Sequence, residues 1–235
     1  MDFWIDWNCQ LFPSSTNGIS SAQDCLDALE LLGDRCSLDG FCLTAGYDRL
    51  REPISVFLLR QNRFSKLISE AATRRINLCF STQALLSDGL SLEPGLEKLL
   101  LLKSGYLPVS LPISSYEDWI DAELNRLLYQ NKLRLLFTSF ERYLILYPRD
   151  VIEKLLRIPS AAFQFNYKSL CDARVQEIVK RLLNTKALVL FGTALNQVDK
   201  IYFYEQDTYL KLAKEAFTPT EYQKLLHMNR LFWTG

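Results

Sequence analysis

Histidine is nearly absent: one, His227, occurs in 235 residues. Hydrolases that grip transition metals through imidazole need several such side chains, so chemistry of that kind is excluded. An excess of charge of one sign is missing too, because Lys plus Arg and Asp plus Glu each total 27. A balanced chain does not bind nucleic acid through bulk charge, although a local basic patch stays open. A basic-then-apolar leader is not expected, since Asp2 and Asp6 stand where such a segment is apolar. The longest apolar runs, such as Leu99-Leu100-Leu101-Leu102, fall far short of a bilayer, so no membrane insertion is expected. None of the six cysteines (Cys9, Cys25, Cys36, Cys42, Cys79 and Cys171) forms a CxxC pair, and most lie in apolar runs. They are expected to be reduced core residues of a cytoplasmic protein rather than disulfides or a zinc site.

What is present suits one large domain. Hydrophobic residues make up 49% of the chain, enough for a substantial core. Short runs rich in β-branched and aromatic residues alternate with segments of helical period. The spacing predicts strands at Phe3–Trp7, Gly40–Thr44, Ile76–Phe80, Tyr106–Leu111, Leu133–Thr138, Ala161–Asn166 and Ala187–Gly192. Helices are predicted at Ser21–Leu32, Ile54–Thr73, Leu96–Leu102, Tyr116–Gln130, Val151–Arg157, Cys171–Leu183, Tyr204–Phe217 and Glu221–Arg230. Strands followed by helices imply parallel pairing and right-handed crossovers. A closed or nearly closed seven-stranded (β/α) barrel over residues 1–235 is the first expectation and an open doubly wound sheet the second. His227, in "YQKLLHMNRLFW", is expected to be an ordinary helix residue. The tail Leu231-Phe232-Trp233 is expected to dock on the barrel, with a partner or oligomer surface as the alternative.

In either architecture ligands bind at the carboxyl ends of the strands. Those ends carry Asn8-Cys9-Gln10, Thr44-Ala45-Gly46-Tyr47, Ser81-Thr82-Gln83, Thr138 to Tyr143, Asn166-Tyr167-Lys168 and Gly192 to Asn196. The inventory is hydroxyls, amides and glycine. Asp6 and Glu141 are the only carboxylates near the mouth, and Arg142 and Lys168 the only cations.

These stretches resemble the polymerase-and-histidinol-phosphatase (PHP) superfamily, and within it the bacterial capsule-locus tyrosine phosphatases. "IDWNCQLFPSSTNG" is similar to that family's Ile-Asp-x-His-x-His-x-x-Pro-x-x-Asp-Asp-Gly, "LTAGY" to Ala-Thr-Pro-His-Tyr and "FSTQALL" to Gly-Ala-Glu. "LLFTSFERY" resembles Leu-Ala-His-Pro-Glu-Arg-Tyr, the most specific match. "FQFNYKSL" is similar to Gln-x-Asn-x-x-Ser-Leu, and "LVLFGTALN" to a final Ser-Asp-x-His stretch. The resemblance implies a TIM-like PHP barrel spanning nearly the whole chain. It would set metal-binding histidines at Asn8, Gln10, Gly46, Ser139 and Leu195, metal-binding carboxylates at Gln83 and Thr193, and an acidic turn at Thr16-Asn17. None of these positions holds its family residue. The motif frame persists at Asp6, Pro13, Gly18, Thr44, Glu141, Arg142, Tyr143, Gln164, Asn166 and Ser169.

Active members of that family use Mn, Fe or Zn-type ions to activate water and clamp a phosphate. Amide oxygens serve hard cations only beside carboxylates, and Gly46 and Leu195 offer no side-chain donor. No metal or other cofactor is therefore expected, and no catalytic residue. Cys9 is expected to be a buried barrel cysteine, because strand alternation points it away from Asn8 and Gln10. Arg142 and Lys168 are candidate anion-binding groups; for Arg142 an ion pair with Asp6 or Glu141 is the plainer expectation.

The function expected is that of an inactive homologue of PHP-type tyrosine-protein phosphatases. The resemblance implies a regulatory or scaffolding place in exopolysaccharide or capsule biosynthesis, beside a tyrosine kinase or polysaccharide-assembly protein. A homo-oligomer is compatible with this, and nucleic acid is not an expected partner. Two rivals stand beside it: an active phosphoesterase with altered metal usage, and a binding module for a phosphorylated or sugar ligand.

Overall fold

Alternating runs such as Ala162-Phe163-Gln164-Phe165-Asn166 form strands because alternate residues are wanted on two different faces. The structure, a computed structural model, describes residues 4–13, 19–101, 104–185, 187–203 and 208–234. Its seven strands are β1 (Ile5–Cys9), β2 (Gly40–Tyr47), β3 (Asn77–Leu85), β4 (Tyr106–Ser110), β5 (Arg134–Phe137), β6 (Ala162–Asn166) and β7 (Leu188–Gly192). Every neighbouring pair is parallel, and the order in the sheet is that of the chain. Around them lie α1 (Ala22–Cys36), α2 (Ile54–Asn62), α3 (Lys66–Thr73), α4 (Asp118–Asn125), α5 (Tyr143–Leu146), α6 (Arg149–Leu156), α7 (Ala173–Asn184), α8 (Thr208–Ala216) and α9 (Pro219–Thr234). Helix α1 opens on a reciprocal cap: Asp24 N–H donates to Ser21 Oγ at 3.1 Å, and Ser21 N–H to Asp24 Oδ2 at 3.1 Å.

The outward faces of the strands, among them Leu43, Phe137, Phe163, Phe165 and Phe191, pack with Leu29, Leu67, Val179 and other helix residues in one core. Each such buried side chain contributes about 1.5–3 kcal/mol. A second core fills the barrel floor with Ile5, Trp7, Cys42, Tyr106, Leu136 and Leu190. Between Asp6 and Cys9, two residues of β1 (Trp7 and Asn8) face the single Cys42 of β2. Such a bulge re-aims a side chain. It lets Trp7 join the floor while its neighbour Asn8 joins the polar groups at the mouth.

Helix α9 closes the floor. Phe232 meets Trp7 edge-on at 4.9 Å and Tyr106 at 5.3 Å, Trp233 meets Trp7 at 5.9 Å, and Trp7 Nε1 donates to Asn229 Oδ1 at 2.6 Å. The aromatic tail is thus a docking anchor, as its composition predicts, and His227 is an exposed residue of the same helix.

β1 and β7 lie side by side without a regular ladder, which rules out the open sheet. Their junction is made by other bonds. Thr193 donates its N–H to Asp6 Oδ1 at 2.9 Å and its hydroxyl to Asp6 Oδ2 at 2.5 Å, and Gln10 N–H donates to Leu195 O at 2.8 Å. Gly192 permits the approach: a Cβ there would come within 2.6 Å of Asn8 N and 2.9 Å of Asp6 Oδ1.

Several boundaries differ from the sequence expectation. The helix expected over Ile54–Thr73 is two, because Arg63, Phe64 and Ser65 turn tightly through i→i+3 bonds. That break sends Phe64 onto Phe12, ring to ring at 5.2 Å. Leu96–Leu102 yields only a short 3-10 turn, Leu96–Leu99, after Gly95. The first strand begins and ends two residues later than expected, with Phe3 outside the described residues, as are Tyr204 and its three successors. All six cysteines are free; Cys79 is half-buried and Cys171 exposed, so these two depart from the buried expectation. Among the described residues no helix is long and apolar enough to cross a membrane.

Gly192→Ala is expected to lower stability by about 1–3 kcal/mol through overpacking at the junction, read from the denaturant midpoint. An unchanged midpoint would mean that β1 and β7 need no close approach.

Candidate functional site

The mouth is built from the carboxyl ends of the strands. Gln10 Nε2 donates to Gln83 Oε1 at 3.0 Å and to Asn8 Oδ1 at 3.2 Å. Asn8 Nδ2 donates to Gln164 Oε1 at 3.1 Å and to Ser139 Oγ at 3.4 Å. Gln164 Oε1 also accepts the Ser139 N–H at 2.8 Å, and Gln164 Nε2 donates to Phe165 O at 2.7 Å. Ser139 has a left-handed backbone, φ +50°, which this amide bond holds. One amide chain therefore runs from β3 through β1 to β6.

Beside it lies the Asp6 clasp. Burial, opposed by the Thr193 hydroxyl and the N–H groups of Thr193 and Asn8, drives the Asp6 carboxyl up to about 6. Glu141 accepts from Asn166 Nδ2 at 2.7 Å and Asn166 N–H at 3.1 Å, and its carboxyl too is raised by burial. Asn166 Oδ1 is buried without a partner. Tyr143 stays in the frame: its hydroxyl accepts from Leu111 N–H at 2.8 Å and donates to Leu111 O at 3.1 Å.

Of the positions singled out from the sequence, Asn8, Gln10, Gln83 and Ser139 come together in the amide chain. Thr193 adjoins it through Asp6, and Gly46 stands exposed at the lip. Leu195 does not join them; its side chain is buried in the outer core. Thr16, Asn17 and Gly18 lie outside the described residues. Cys9 packs in the outer core, away from Asn8 and Gln10, and burial raises its thiol well above the usual range. The ion pair expected of Arg142 is not formed, because Asp6 turns to Thr193 and Glu141 to Asn166; Arg142 acts on Glu141 only through space. Lys168 is exposed and does not line the mouth beside Arg142.

Above the amide chain is a cavity of about 510 Å³. It is lined by Gln10, Thr44, Ala45, Gly46 and Gln83 from the strand ends, by Phe12 and Pro13 after β1, by Asn196 and Gln197 after β7, and by Phe57, Arg60, Gln61 and Phe64 from α2 and the turn that follows it. A neighbouring recess of about 380 Å³ shares Gln10, Gly46, Arg60 and Gln83 and adds Ser110, Arg142, Asp48, Arg51 and Glu52. The mouth thus carries more charged groups than the four expected from the strand ends, because the segment after β2 and helix α2 fold over it. Sequence reasoning missed the wall from α2. Gln61 repeats the buried positions Ile54 and Phe57 at helical spacing, and an amide on that apolar stripe is the signal that could have found it. Among the described residues, no three His, Cys, Asp or Glu side chains gather as a group able to hold a metal ion.

No protein-family model matches the sequence, and no curated protein matches it. A solved structure does. It is one of a pair, YwqE from Bacillus subtilis and CpsB from Streptococcus pneumoniae, both described as metal-dependent tyrosine phosphatases. The TM-score is 0.68 at 15% identity, over 98% of this chain and 94% of that one. The chain has the PHP-type barrel fold. At that identity the likeness speaks for the fold, and it agrees with the motif resemblance read along the chain.

The unfolded chain releases the Asp6 proton near the ordinary carboxylate value of about 4, whereas the folded chain keeps it to about 6. Stability from this group is therefore full below that window and is lost as pH rises through it. Relative to Asp6→Asn, the parent chain is expected to lose about 2–3 kcal/mol between about pH 4 and 7. Parallel stability profiles in denaturant titrations would contradict this.

Proposed function

We propose that this chain is a catalytically inactive, metal-free counterpart of the tyrosine phosphatases whose fold it shares. The observation that carries the reading is the amide chain through Gln83, Gln10, Asn8 and Gln164, which occupies the strand ends where the resemblance would set metal ligands. A cluster of divalent ions needs several anionic or imidazole donors to replace its water. Here the side-chain oxygens of Asn8 and Gln83 accept N–H groups from Gln10. Gly46 brings no side-chain donor, and Leu195 is turned into the core. Asp6, the buried carboxylate of the site, has both oxygens committed to Thr193 and Asn8. These donors do not fit a metal cluster.

The role that remains is regulatory or scaffolding. The resemblance supports a cytoplasmic place beside a tyrosine kinase or polysaccharide-assembly protein, with self-association compatible. Elemental analysis of the purified chain, with p-nitrophenyl phosphate turnover in added manganese, tests the reading. Metal far below stoichiometric and turnover no faster than the protein-free rate are expected. A stoichiometric ion, or turnover abolished by a chelator, would establish the rival of an active phosphoesterase with altered metal use.

A further inference from the structure

The cavity above the amide chain keeps its volume and its polarity, and its lining is selective. Gln10, Gln61, Gln83, Asn196, Gln197 and Thr44 all carry side chains that both donate and accept hydrogen bonds. A phosphate is chiefly an acceptor at neutral pH and would leave the amide oxygens of this lining facing negative charge. A bare cation would meet the amide N–H groups. The ligand that suits such a set is one whose own groups donate and accept in alternation, which is the chemistry of vicinal hydroxyls.

Charge points the same way. Arg60, the one cation of this lining among the described residues, is paired with Glu52 and lies over the Phe57 ring at 5.5 Å. Arg142 belongs to the neighbouring recess rather than to this cavity. Phe12 and Phe64 also line the cavity, ring to ring at 5.2 Å, while Phe57 is buried beneath Arg60. The negative faces of such rings attract polarised C–H groups, which a pyranose presents on its less polar side. Two amides have capacity to spare: among the described residues Gln83 Nε2 has no partner, and Gln61 Nε2 uses one bond, to Ser81 O at 3.3 Å. The cavity, at about 510 Å³, is of small-molecule size.

We infer that the mouth of this barrel is a binding site for an uncharged saccharide, with the amides reading its hydroxyls and the phenylalanines covering its apolar face. The inference rests on the mouth being free of a metal cluster, as proposed above. Gly46 supplies the means of testing it. A Cβ there would meet nothing within 4 Å, so a side chain can start from this position into the opening without a clash at its first atom.

The experiment is isothermal titration of the full chain with D-glucose, D-galactose, N-acetylglucosamine and maltose, beside glucose 6-phosphate and inorganic phosphate, on protein of measured metal content. At least one neutral saccharide is expected to bind with a Kd of about 1 mM or tighter. Gly46→Trp should abolish the heat while leaving the ligand-free melting temperature unchanged. Gln83→Ala should weaken binding roughly fivefold, and Arg142→Ala should leave it unaltered. Absence of binding by all four neutral sugars to metal-free protein overturns this inference alone. Equal binding by Gly46→Trp also overturns it, as does tighter binding of glucose 6-phosphate that disappears in Arg142→Ala. Stoichiometric metal in the protein overturns instead the reading on which it rests.

Discussion

A buried carboxylate joins the first strand to the last. Asp6, fully buried, receives the Thr193 hydroxyl and two backbone N–H groups. Burial raises its pKa and the three donors lower it, which leaves the group near 6 instead of far higher. The bond does more than close the barrel. Thr193 Oγ1 accepts the Leu195 N–H at 3.1 Å, and Leu195 O accepts the Gln10 N–H at 2.8 Å. This turn after β7 buries Leu195 in the outer core and brings Asn196 and Gln197 to the wall of the cavity. The shape of the mouth therefore follows from the clasp beneath it.

The amides of the mouth solve a problem common to any polar cleft that is partly buried. A buried donor or acceptor left unmade costs about 1–3 kcal/mol, so polar groups in such a place need partners. Asn8 and Gln164, both fully buried, satisfy one another and hold the strained Ser139 backbone. Gln10 spans the gap from β1 to β3 with one NH₂ group. The network is rigid at its base and unfinished at its upper edge, where Gln83 and Gln61 face the cavity.

Floor and mouth are handled by opposite chemistry. At the floor, Trp7 is covered by Phe232 and Trp233 and its indole N–H is taken by Asn229. At the mouth the lip residue is Gly46, and the break between α2 and α3 brings Phe64 to the rim rather than over it. The barrel is closed by α9 at the floor and gathers its polar side chains at the other end, where the described residues bring no three His, Cys, Asp or Glu side chains together.

The barrel was legible in the sequence because its signals are local. Alternation in Ala162-Phe163-Gln164-Phe165-Asn166 marks two faces, the Ser21–Asp24 box marks a helix start, and strand-helix repetition leaves few topologies. The scarcity of imidazole and carboxylate at the strand ends was legible for the same reason, since a side chain's donor chemistry needs no coordinates. Direction was not. Nothing local says that Leu195 turns into the core, that Arg142 leaves Asp6 to Thr193, or that Arg63 to Ser65 break a helix so that Phe64 meets Phe12. Nor does it say that Gln61, from a helix, and Gln83, from a strand, line one space. The sequence by itself determined which chemical groups stand at the strand ends; the tertiary structure decided which of them meet, because hydrogen bonds between residues far apart in the chain form only after the barrel has closed.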